Sequence, residues 1–99
     1  MPTFVIDGSG RAVIEKDPND VLDYTVDWVN ILTPISDTIV SQQIVTTGVT
    51  VDSSSFATTK QTAWIAGGTV GERVQVTYRI VTAGGRTFDR SIYLKIKEL

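Results

Sequence analysis

Apolar and polar positions alternate with period two over most of this chain, the signature of strands with one buried face. The clearest run has Val74, Val76, Tyr78 and Ile80 alternating with Arg73, Gln75, Thr77 and Arg79. Ala83-Gly84-Gly85-Arg86 interrupts it. Phe88, Ile92, Leu94 and Ile96 then resume the pattern, with Arg90 the exception on their face. A glycine pair between two alternating runs predicts a tight hairpin, glycine supplying the positive φ of mirror-image turns. The hairpin from Arg73 to Ile96 should be the longest in the fold and supply two adjacent central strands of one sheet.

Upstream, Leu22, Tyr24, Val26 and Trp28 share a face opposite Asp23, Thr25 and Asp27, a half-buried strand launched by the turn Asp17-Pro18-Asn19-Asp20. Thr33-Pro34 ends any helical possibility after Trp28. From Thr38 to Thr46, Ile39, Ser41, Gln43 and Val45 oppose Val40, Gln42 and Ile44. So poor an alternation predicts a sheet edge, or a strand partly covered on both faces. Val49–Val51 reads as a short strand before a polar loop, Asp52-Ser53-Ser54-Ser55, with Phe56 tucked beneath it. A tract rich in threonine leads into a further short strand, Ala63-Trp64-Ile65-Ala66. Gly67-Gly68-Thr69-Val70-Gly71 then crosses from one sheet to the other. This cluster and Gly8-Ser9-Gly10 both invite an anion-cradle reading, but no helix pattern follows either.

Residues 1–15 read as an N-terminal arm or short hairpin, and residues 16–99 as one domain. The elements sum to an all-β fold, an immunoglobulin-like β-sandwich of about seven antiparallel strands with turn signals roughly every 8–12 residues. Trp28, Trp64 and Tyr78 should meet in its core. Truncating either tryptophan to alanine should then cost about 3–5 kcal/mol.

Composition narrows the chemistry. The 99 residues contain no cysteine, so the sandwich has no disulfide, and no histidine, which removes the commonest general base and metal ligand. Ser-Lys or carboxylate schemes are the catalytic options left, and no motif marks one. The chain thus reads as no enzyme, with no catalytic, cofactor-binding or metal-ligating residues. Aspartates 17, 20, 23 and 27 suggest calcium, yet two project from a strand away from the turn, so a solvated face is the better reading. A net charge of −2 gives no reason to expect nucleic acid. No apolar run approaches the roughly 20 residues of a membrane span, and the start lacks signal-peptide order, which predicts a soluble chain.

The charge is unevenly placed. Residues 1–52 carry −6 and residues 53–99 carry +4. The asymmetry either polarises a contact surface, including head-to-tail contact between copies, or lets acidic and basic strands pair within the sandwich.

Asp17-Pro18-Asn19-Asp20-Val21-Leu22-Asp23-Tyr24 followed by Asp27-Trp28, then Trp64-Ile65-Ala66-Gly67-Gly68-Thr69-Val70-Gly71, then Arg79-Ile80-Val81-Thr82-Ala83-Gly84-Gly85-Arg86-Thr87 with Asp89-Arg90, resembles the fibre-tail adaptor family of tailed bacteriophages. The resemblance spans Lys16 to the C-terminus. It implies a virion structural protein, assembled in the host bacterial cytoplasm and docked on other tail, neck or fibre proteins in a symmetric multi-copy assembly. No site residues come with it. The residues themselves nominate Arg73, Arg79, Gly84, Gly85 and Arg86 as a contact surface, since outward arginines engage carboxylates through bidentate bonds. Arg90 should pair with an acid such as Asp27 or Asp89. The rival readings are a capsid decoration protein and a carbohydrate-binding module. The latter needs an exposed aromatic, whereas the pattern buries both tryptophans.

Overall fold

The computed structural model describes residues 3–5 and 12–99. Among these residues, eight strands form two four-stranded sheets. They are β1 (Thr3–Val5), β2 (Ala12–Lys16), β3 (Leu22–Asp27), β4 (Ile39–Thr46), β5 (Thr50–Phe56), β6 (Lys60–Ala66), β7 (Arg73–Thr82) and β8 (Thr87–Ile96). The orders β1-β3-β6-β5 and β2-β8-β7-β4 correspond to the A-B-E-D and G-F-C sheets of an immunoglobulin-like sandwich, with β2 added beside β8. Eight strands replace the seven of the sequence reading. The two short N-terminal strands do not pair with each other: β1 runs parallel to β3, and β2 parallel to β8. The remaining pairings are antiparallel.

Inward positions of β3, β7 and β8 build the core as the alternation requires. Tyr24, Val26, Trp28, Val74, Val76, Tyr78, Ile80, Ile92, Leu94 and Ile96 are all buried. The long hairpin β7–β8 sits in the middle of its sheet, flanked by β2 and β4. The 67–71 segment does cross between the sheets. Its Gly67 carbonyl accepts a bond from the buried Lys16 ammonium (2.8 Å), the opposite polarity to an anion cradle.

Four local expectations are corrected. Trp64 is 42% exposed: the inward residues of β6 are Gln61, Ala63 and Ile65, so its indole lies on the outer face. Ala63-Trp64-Ile65-Ala66 is apolar on both faces, and pattern alone cannot choose between them. In β4 a bulge between Ile39 and Ser41 flips the parity, so Ile39 points inward but Gln42, Ile44 and Thr46 follow it there. The serine run is strand rather than loop, and Phe56 at its end is exposed. After Trp28 the chain does form a helical turn, α1 (Val29–Leu32), continued by a 3₁₀ turn at Thr33–Ile35. Pro34 is tolerated because it stands in the first turn of that 3₁₀ segment, where its missing N–H is not needed.

Candidate interface at the hairpin loop

The hairpin loop is organised by a carboxylate from another part of the chain. Asp37, between the 3₁₀ turn and β4, has only 3% of its side chain exposed. Its Oδ1 accepts the N–H groups of Thr38 (2.9 Å) and Gly84 (3.0 Å). Its Oδ2 takes Arg86 Nη1 at 2.9 Å, and the Thr82 hydroxyl bonds to the same carboxylate. These bonds, the Thr82 hydroxyl foremost, hold the Asp37 carboxyl down at about 2.

Local geometry explains the Gly-Gly pair, though not as mirror-image turns require. Only Gly85 has positive φ (82°). The bonds Gly85 N–H to Thr82 O and Thr82 N–H to Arg86 O close the loop. This is a type I turn followed by a left-handed glycine, the next commonest hairpin solution. Gly84 is needed for space instead: a Cβ there would lie 2.9 Å from Asp37 Oδ2 and collide with the Arg86 guanidinium. The loop tip is thereby tied to Asp37, with Arg86 about half exposed.

The nominated residues do not form one patch. Gly84, Gly85 and Arg86 lie together at the tip, and Arg79 stands nearby on the outer face of β7. Arg73 begins the same strand, six residues before Arg79 and so about 20 Å away. The Arg79 fork is already filled by Asp89 (2.7 and 3.0 Å), which raises the arginine's pKa and lowers the acid's. The Arg73 guanidinium lies 5.2 Å from the Tyr93 ring centroid. Arg73 also lines an open groove of about 510 Å³ with Glu72, Thr47, Gly48 and Gln75, at the end of the sandwich remote from the loop.

Arg90 departs from expectation. Its Nη1 donates to the backbone carbonyl of Asp89 (2.6 Å), not to a carboxylate, and its guanidinium lies 6.0 Å from the Trp28 ring. The Asp89 carboxylate is committed to Arg79. Ion pairing does join the two charge halves, through Asp37–Arg86 and Glu15–Lys97, while Arg79–Asp89 lies within the basic half. The role of Asp37 was hidden in the sequence, since its partners lie 47 and 49 residues away. An acid directly before a strand was its only trace. Among the described residues, no group of three or more acids could hold a metal ion.

What fold and surface define is a disulfide-free immunoglobulin-like scaffold that presents a stiffened loop and polar sheet faces. Residues 16–95 match the family described as "Podophage GP4 fiber-tail adaptor protein gp77". The chain belongs to this family, and so to the structural proteins of bacteriophage tails. No curated protein matches it in sequence. Among solved structures it is similar to the cysteine protease inhibitor EhICP2 from Entamoeba histolytica. The TM-score is 0.53 at 8% identity, over 95% of this chain and 94% of that one. At that identity the likeness establishes the sandwich fold.

Proposed function

We propose that this chain is a virion adaptor, assembled in the host cytoplasm, that sits in the tail or neck of a podophage and docks fibres or neighbouring tail proteins. Membership of the adaptor family over residues 16–95 carries the reading. The contact surface we assign to it is the hairpin loop, Gly84, Gly85 and Arg86, with Arg73 at the far end of β7 as a second contact. Arg79 serves this surface indirectly, because its donors are spent on Asp89. A loop pre-ordered by Asp37 binds without losing further backbone entropy, which suits a docking element. Virion symmetry then repeats each modest contact many times. The test replaces Arg73 and Arg86 together with glutamate and measures incorporation into particles. Loss of incorporation by a folded variant supports the surface; undiminished incorporation refutes it.

One observation favours a second reading, a glycan-binding module. Trp64 is exposed at the centre of the β1-β3-β6-β5 face, with Asp23 and Ser53 opposite it in register. An indole flanked by polar groups can stack on a sugar ring. Trp28 is buried, so any change in the red-shifted component of tryptophan emission on adding glycans reports Trp64. Emission unmoved by glycans removes this reading.

A further inference from the structure

Every strand of five residues or more carries at least one charged residue except β4, Ile39-Val40-Ser41-Gln42-Gln43-Ile44-Val45-Thr46. β4 is also an edge strand. Open edges expose a row of unpaired backbone donors and acceptors, and natural sandwiches blunt them with lysine, proline or a bulge. β5, the corresponding edge of the other sheet, carries Asp52 at its register shift. The β4 bulge lies at one end, between Ile39 and Ser41, and leaves Ser41 to Thr46 regularly paired to β7. What remains is an uncharged, regular edge, with Val45 40% exposed on its outer side.

We infer that this edge pairs antiparallel with β4 of a second copy of the chain, about a two-fold axis at Gln43. The charge-free composition of β4 selects this occupant. A two-fold contact sets each residue against one from the same segment, so a charge near the axis meets its own kind; β4 has none to oppose. Residues opposite each other in an antiparallel pair share a face. Centring on Gln43 sets outward Ser41 against outward Val45, and inward Gln42 against inward Ile44. That register uses the stretch between the bulge and the Thr46-Thr47-Gly48 turn, and joins two four-stranded sheets into one of eight strands. The pairing stands whether or not the chain occupies a tail.

The chain has no cysteine, so Gln43→Cys introduces a unique thiol. Paired residues on the axis have Cα atoms about 4.5–5.5 Å apart, within disulfide reach. The full-length variant should oxidise to a disulfide dimer many times faster than Lys95→Cys, whose thiol is exposed on the sheet face. Sedimentation of the unmodified chain should show a concentration-dependent dimer, which Gln43→Lys abolishes while leaving the circular dichroism spectrum unchanged. Equal oxidation rates for the two cysteine variants overturn the proposal. So does a Gln43→Lys chain that still dimerises, or a different virion protein protecting the β4 amides in place of a second copy.

Discussion

Gln61 is a fully buried amide on β6, and the two sheets meet through it. Its Oε1 accepts the Trp28 indole N–H (3.1 Å). Its Nε2 donates to Gln42 Oε1 (3.0 Å) and to the Arg79 carbonyl (3.1 Å). Trp28→Phe removes the indole N–H and part of a ring that is 0% exposed. The lost ring atoms cost roughly 1–2 kcal/mol, a fraction of a full Trp→Ala truncation. The stranded Gln61 oxygen adds about 1–3 kcal/mol. Gln61→Leu strands the indole N–H and leaves Gln42 Oε1 without its donor, for a similar total of about 2–4 kcal/mol. Each single variant should lower Tm by roughly 10–30 °C in a domain of this size. The double variant loses the bond only once, so its cost should fall short of the sum of the singles by about 1–2 kcal/mol. Urea unfolding of the four proteins, followed by circular dichroism, closes the cycle. Additivity to within about 0.5 kcal/mol would show that the two side chains do not interact and refute this view of the core.

Asp37 predicts the shape of the acid limb. Its carboxyl is lowered from 3.8 to about 2 in the folded chain, so the stabilisation it provides is complete above the unfolded value and lost as pH falls through the folded one. Between about pH 4 and 2 the parent chain should lose stability more steeply than Asp37→Asn, as read by urea midpoints across that range; parallel curves would contradict the bonding scheme. Among the described residues, the buried Tyr24 hydroxyl has no hydrogen-bond partner. Tyr24→Phe should therefore hold stability or raise it by about 1 kcal/mol, and a clear fall in urea midpoint would reveal a partner.

The hairpin was legible because β7 alternates charged or polar with apolar residues at almost every step, leaving one register that buries its core. β3 was legible for the same reason. Trp64 was not, because its neighbours satisfy either face and the deciding residue is Gln61, a polar side chain buried on the strength of bonds to three distant segments. β4 defeated alternation through a single inserted residue. The loop's composition was readable, but its rigidity depends on Asp37, and nothing in local pattern marks a carboxylate bonded across more than forty residues. Arg79 looked available from the sequence for the converse reason. Its partner Asp89 lies directly across the hairpin, a pairing that the register alone would have predicted.

Locating the protein in intact particles by electron cryomicroscopy decides whether it is an adaptor of the tail. A single ring of copies is expected at the tail or neck, in contact with fibre or tail proteins through the hairpin loop. Copies spread over the head shell would contradict it and establish the decoration reading instead.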